Sequence, residues 1–259
     1  GSGAFSIDNC SDVLVGGEDP GATNVISGNT SHGLAPDNAP RTVIQGNYIG
    51  TDWRGENAVP NLSGVTMSGD QEGSVVGGET IGARNIISGN TISNIGINNV
   101  SGAVSGTVVS GNYIGTDANG ATSSSITAAQ GEGIRISANA TGILIGGDHG
   151  NRIAGNRGAG VAVRTIDVTA FSLTATALKT AILGNQIYGN DAGGSVPGAQ
   201  GLGIDIYQAT VATANFPADI FTDSALQVGP TLNDPSDADT GPNNYINFPV
   251  LGSVTQDGT

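Results

Sequence analysis

The sequence predicts an all-β solenoid. Three observations carry that expectation: excess glycine, an internal repeat, and aliphatic residues placed at strand rather than helix spacing. Glycine supplies 43 of 259 residues, where average usage is roughly 7%. Such an excess means either disorder or a backbone that turns every few residues. Disorder does not fit a chain that is 37% hydrophobic with Ile and Val at regular positions, because disordered chains are poor in β-branched residues. Collagen does not fit either, since Gly follows no three-residue period and Pro numbers only 10.

Self-comparison locates the turns. Segment 16–29 (GGEDPGATNVISGN) matches 77–90 (GGETIGARNIISGN) and the shorter 146–156 (GGDHGNRIAGN). A second set alternates with it: 43–55 (VIQGNYIGTDWRG), 108–120 (VVSGNYIGTDANG) and 182–191 (ILGNQIYGND), and equivalents lie 61 to 73 residues apart. Among the Gly-Asn pairs, those beginning at 28, 46, 89, 111, 155 and 184 are spaced so that the intervals of 43 and 44 are about twice those of 18 and 22. Each of those long gaps holds a further strand-like segment, GVTMSGD at 64–70 and GIRISAN at 133–139, and AFSIDN at 4–9 is similar to both. Read as three kinds of coil of 18 to 29 residues, these segments fill positions 4 to 190, and Gly201 to Ile206 (GLGIDI) begins a tenth coil.

Within each coil the pattern is that of a strand, because residues two apart share a face. Two residues before the Gly of each of these pairs stand Ile26, Ile44, Ile87, Val109, Ile153 and Ile182; three after it stand Ile49, Ile92, Ile114 and Ile187, with Ser31 and Gly158 as exceptions. Aliphatic columns on either side of a Gly-Asn corner suit a flattened superhelical coil. Gly and Asn tolerate left-handed backbone, and stacked Asn side chains can hydrogen-bond from coil to coil. No helical period competes in this stretch. Scarce Leu excludes a leucine-rich repeat, and the absence of GGxGxD excludes a calcium-binding nonapeptide repeat.

On these motifs the chain resembles, over residues 4–206, the right-handed parallel β-helix with its short pectate-lyase-like repeats. The phrases GNYIGTD and GG…NxISGN, with GLGID, NDPSDADTGPNN and NFPVL further on, resemble repeats of very large bacterial surface and secreted proteins. The resemblance implies a right-handed parallel β-helix of about nine to ten coils, roughly 45 to 50 Å long at one strand spacing per coil. Gly1-Ser2-Gly3 reads as a cloning scar, and 207–259 as an irregular C-terminal cap and acidic linker toward a following domain. The implied role is a non-catalytic spacer or adhesin-like display rod, extracellular or at the cell surface. It would be monomeric when excised, with a polysaccharide or another surface protein as partner.

The charge sets further bounds. With 22 acidic against 8 basic residues the net charge is −14. Phosphate backbones and anionic lipid both call for clustered Lys and Arg, so nucleic acid is not an expected partner. No apolar run reaches the length of a membrane span, so no direct membrane insertion is expected. Cys10, the one cysteine, permits no internal disulfide. Asn9, Asn29, Asn61, Asn99 and Asn139 begin Asn-x-Ser/Thr sequons, read as accidents of an Asn-rich repeat.

The β-helix resemblance raises a carbohydrate-active alternative, a polysaccharide lyase or epimerase. Lyases of that fold need carboxylates that hold Ca²⁺ and an Arg or Lys that abstracts a proton, all on one outer face. The related hydrolases carry Asn-Thr-Asp, Asp-Asp, Gly-His-Gly and Arg-Ile-Lys strings, and none occurs here. The candidates are Arg135, which alternates with Ile134 and Ile136 and so faces outward, together with Arg164 and Asp167. Their plain reading is of solvated residues on an acidic surface.

Three more features invite a ligand. Tyr48, Tyr113 and Trp53 fall in one repeated strip and form a candidate aromatic ledge for sugar rings. Asp52 and Asp117, each followed three residues later by Gly, are expected to close turns through backbone N–H groups. Asp234, Asp237 and Asp239 crowd the acidic tail as calcium candidates, although the EF-hand order fails because Pro242 stands where Gly is needed. Two insertions, 119–132 and 164–180, are expected to project as loops.

Overall fold

The computed structural model describes residues 5–98, 106–127, 130–137, 140–168, 173–176, 179–190 and 203–211, of which 165–168, 173–176 and 207–211 are described by backbone alone. Short Val- and Ile-rich runs between glycine corners give three strands per turn. The first turn holds β1 (Phe5–Asp8), β2 (Leu14–Gly16) and β3 (Val25–Ile26), and the second β4 (His32–Asp37), β5 (Val43–Gln45) and β6 (Tyr48–Ile49). The third holds β7 (Ser63–Met67), β8 (Val75–Gly77) and β9 (Ile86–Ile87), and the fourth β10 (Ser93–Asn98), β11 (Val108–Ser110) and β12 (Tyr113–Ile114). The fifth holds β13 (Glu132–Ser137), β14 (Leu144–Gly146) and β15 (Arg152–Ala154). In the sixth, β16 (Val161–Val168) and an added β17 (Leu173–Thr176) precede β18 (Ala181–Leu183) and β19 (Gln186–Tyr188), and β20 (Ile204–Val211) opens a seventh.

Every third strand pairs with its equivalent in the next turn, which makes a parallel β-solenoid of three sheets. Its first sheet runs β1-β4-β7-β10-β13-β16 with β20 beyond, the second joins β2, β5, β8, β11, β14 and β18, and the third joins β3, β6, β9, β12, β15 and β19. Among the described strands the exception to parallel pairing is β17, which returns antiparallel along Thr165–Val168. The second insertion therefore extends the first sheet as a hairpin. Within the first, Ser124–Thr127 forms one turn of helix that buries Ile126 completely.

The interior is a stack of aliphatic columns. Val15, Ile44, Val76, Val109, Ile145 and Ile182 are in register across the second sheet. Ile26, Ile49, Ile87, Ile114, Ile153 and Ile187 are in register across the third. Leu34, Val65, Ile95, Ile134 and Val161 form the first sheet's column, all fully buried.

The coil count differs from the sequence expectation. Register shows that one turn takes 27 to 43 residues. Among the described residues there are six complete turns and the start of a seventh, a stack of about 30 Å. Gly-Asn pairs occupy two different corners of the solenoid. Gly46-Asn47 lies between the second and third sheets, whereas Gly28-Asn29 follows the third. Treating both as the same corner divides turns that are whole, and the 61- to 73-residue unit is two turns rather than three coils.

Two asparagine ladders line these corners. Between the second and third sheets, the Nδ2 of Asn24, Asn47, Asn85, Asn112 and Asn151 each donates to the Oδ1 of the next, ending on Asn185, at 2.9 to 3.1 Å. After the third sheet, a second ladder runs Asn29, Asn61, Asn90, Asn94, Asn156, Asn190 at 2.7 to 2.9 Å. The fourth turn has Thr116 at that corner, and Asn94 bridges the gap with help from Gln130, whose Oε1 accepts from the Gly89 N–H and the Asn94 amide. Asn29 and Asn61, which begin two of the sequons, are thus ladder members.

The remaining corner, between the first and second sheets, has a residue of positive φ in every turn: Asp12, Arg41, Gly73, Gly106, Gly142 and Lys179. At φ 54° the lysine is strained in a way its glycine equivalents are not. Lys179→Gly is expected to raise stability by about 0.5 to 1 kcal/mol, read as a higher denaturation midpoint. An unchanged or lower midpoint would show that the turn does not need this conformation.

Candidate functional site

The outer face of the first sheet carries the charged residues nearest to a chemical constellation. Ile134 and Ile136 point inward, so Arg135 between them points out, and register aligns it with Ala162 and then Asp205 on successive strands. Despite facing outward, Arg135, Arg164 and Asp205 are only 7%, 4% and 5% exposed. Arg135 Nε donates to Glu132 Oε2 in an ion pair that is itself mostly buried. Asp205 Oδ1 has no hydrogen-bond partner among the described residues. Burial pushes the Asp205 carboxyl up to about 6, the charge of Glu132 adds to that rise, and the Ile206 N–H opposes it.

The structure thus brings Arg135 and Arg164 onto adjoining strands and gives Arg135 a carboxylate partner. That partner is Glu132, three residues away, and the sequence reading missed both it and Asp205. A signal was available. GEGIRI (131–136), GAGVAV (158–163) and GLGIDI (201–206) align, which stacks Arg135, Ala162 and Asp205 in one column. Asp167 pairs by backbone with Thr174 and Thr210 at the far end of β16.

Asp205 gives the site a pH signature. Its folded-state pKa, about 6, lies above its ordinary 3.8. The contribution of this group to stability is therefore fully present below pH 3.8 and lost as pH rises through about 6. Asp205→Asn is expected to stabilise the protein at pH 7 by up to about 3 kcal/mol, at 1.36 kcal/mol per pKa unit, and to change little below pH 4. Parallel melting curves for both proteins across that pH range would show no burial penalty at Asp205.

A second candidate face is the outside of the third sheet, where Val25, Tyr48, Ile86, Tyr113, Arg152 and Gln186 align in register. Tyr48 and Tyr113 therefore share one strip, two strand spacings or about 10 Å apart. Tyr113 has two cations against its ring: the guanidinium carbons of Arg84 and Arg152 lie 4.1 and 5.1 Å from its centroid. Trp53 sits on the turn after β6, 67% exposed, with Arg54 at 4.6 Å from its ring.

The two Ile-Gly-Thr-Asp turns close as expected. Asp52 Oδ1 accepts from the N–H groups of Glu56 and Asn57, and Oδ2 from the Asn57 amide. Asp117 Oδ1 accepts from the N–H groups of Asn119 and Ala121. Burial works to raise the Asp52 pKa, but these hydrogen bonds outweigh it and hold the carboxyl below its ordinary value. Ala118 N–H donates to Gly55 O, so the two turns stack.

Among the described residues no group of three His, Cys, Asp or Glu side chains could hold a metal, and no helix is long and apolar enough to cross a membrane. The calcium candidates Asp234, Asp237 and Asp239 lie outside the described residues. Comparisons with protein-family models, with curated proteins and with solved structures each found no match to this chain.

Proposed function

We propose that this chain is a non-catalytic module of right-handed parallel β-helix type, with pectate-lyase-like repeats, serving as a stiff spacer or display rod in an extracellular or cell-surface bacterial protein. The observation that carries the reading is the continuity of both asparagine ladders through six turns. Buried amide ladders over three aliphatic columns resist bending and shear without disulfides, and the −14 net charge opposes self-association. A polysaccharide or a second surface protein is the partner this role calls for. Single-molecule pulling through the two termini tests it: the rod predicts turn-by-turn release at high force, whereas smooth extension at low force overturns it.

A carbohydrate-active reading draws on the charged cluster of Glu132, Arg135, Arg164 and Asp205. Arg135 would act as the proton-abstracting base once freed from Glu132, with Asp167 holding a cation. Release of unsaturated sugar from an acidic polysaccharide, lost in Arg135→Ala, would establish that reading in place of the rod. A calcium role for the tail predicts that chelator lowers the melting temperature of the full chain; superimposable melts with and without chelator would remove it.

A further inference from the structure

The two-turn repeat builds the same corner twice around Tyr48 and Tyr113, and it treats the two rings differently. Tyr113 lies between Arg84, which immediately precedes ladder residue Asn85, and Arg152, which immediately follows Asn151. The same two positions around Tyr48 are Thr23, before Asn24, and Ile86, after Asn85. Neither carries charge. Both line a groove of about 230 Å³ beside the half-buried Tyr48, with Glu18 and Asp19 in its wall.

The loops of the first and third turns frame this groove. They meet across the tight corner at Gly46, where Thr80 Oγ1 donates to Glu18 Oε2 at 2.8 Å and Gly46 N–H donates to Ala83 O at 3.2 Å. Asp19 precedes the short helical turn Pro20–Ala22, and its carbonyl accepts the Ala22 N–H at 2.8 Å while its side chain makes no capping hydrogen bond. Arg84 also borders the groove, yet its Nε donates to Gly111 O at 3.2 Å and its guanidinium rests on Tyr113. Two carboxylates and an aromatic ring therefore face a space in which the repeat-related site holds guanidinium groups.

We propose that the Tyr48 groove binds one arginine side chain of a basic segment on a partner polypeptide. The ring supplies a face for the guanidinium, and Glu18 and Asp19 supply charge-assisted acceptors. The acidic surface of the whole chain raises the local concentration of such a segment. Tyr113 needs no such partner because Arg84 and Arg152 already fill that role from within.

The test is an NMR titration of the full chain with a capped Gly-Arg-Gly peptide, using capped Gly-Gln-Gly and a neutral trisaccharide as comparisons. The arginine peptide is expected to give saturable shifts at Thr23, Tyr48 and Ile86 with a Kd on the order of 1 mM, at least about tenfold tighter than either comparison. Thr23→Arg copies Arg84 at an exposed position and should fill the groove, weakening binding at least about tenfold with an unchanged melting temperature. The double variant Glu18→Gln, Asp19→Asn should weaken it similarly. Unsaturable shifts spread over the acidic surface, equal binding of the glutamine peptide or the trisaccharide, or undiminished binding by Thr23→Arg would each overturn the proposal.

Discussion

Asn112→Ala is expected to destabilise the protein by about 3 to 4 kcal/mol, among the largest single-residue effects available to it. Asn112 is fully buried. Its Nδ2 donates to Val76 O at 2.8 Å, Ser110 O at 2.9 Å and Asn151 Oδ1 at 3.0 Å, and its Oδ1 accepts from the backbone and side-chain amides of Asn85 at 3.2 and 2.9 Å. Truncation leaves the buried Asn85 N–H without its acceptor and removes a donor from Val76 O. An orphaned buried amide costs about 1 to 3 kcal/mol, and each lost hydrogen bond adds roughly 1. Asn112→Asp should cost more, because it keeps the shape but sets a charged acceptor against three acceptors. Asn119→Ala, on an exposed turn, should stay within about 0.5 kcal/mol. Denaturant unfolding measures all three, and hydrogen exchange should show protection lost first in the third to fifth turns. A loss below about 1 kcal/mol for Asn112→Ala would mean that the ladder is not what holds neighbouring turns together.

The strand content and the aliphatic columns were legible in the sequence because both rest on local rules. Ile44, Val109 and Ile182 precede a Gly-Asn pair by two residues and do form one interior column, with Val15, Val76 and Ile145 completing it. The turn length was not legible, because Gly-Asn serves two corners with the same local chemistry. Asn24 and Asn85 are the true equivalents of Asn47, yet Thr23 and Arg84 precede them where Gly46 precedes Asn47. The third sheet's inward column joins Ile26 to Ile49, residues that stand on opposite sides of a Gly-Asn pair in the sequence. Only inter-strand register separates these cases.

The charged sites divide in the same way. Closure of the Asp52 and Asp117 turns follows from an Asx residue and a glycine three positions on, a local signature. The outward direction of Arg135 follows from alternation with Ile134 and Ile136. Its burial does not, since alternation fixes direction and says nothing of what lies over the sheet. The bridging role of Asn94 and Gln130 at the corner occupied by Thr116 was beyond reach for a related reason. Both side chains come from segments distant in sequence from Thr116, replacing the asparagine missing at the corner after β12.

Gly77→Ala is the second substitution expected to have a very large effect, about 4 kcal/mol or more, a large share of the stability of an ordinary domain. Gly77 has φ +92°, a conformation that L-residues avoid. A Cβ there would also overlap Ser110 O and crowd both amide atoms of Asn112 in the next turn. Neither obstacle can move cheaply. Ser110 O accepts the Gly78 N–H at 3.0 Å, and the Asn112 side chain is locked in the ladder. The same arrangement recurs at Gly16 against Gln45 O and at Gly146 against Leu183 O, so each odd turn keeps a glycine where the following even turn presents a carbonyl. This interlock accounts for the two-turn repeat at this position: the first glycine of the Gly-Gly segment in each odd turn lies against the residue before the Gly-Asn pair of the following even turn. Gly21→Ala supplies the control, since a Cβ there meets nothing within 4 Å and its φ is ordinary. Its effect should stay within about 0.5 kcal/mol. A Gly77→Ala protein that melts with the wild type would show that the turns can separate by enough to admit a methyl group, and the two-turn interlock would then not be what sets the repeat.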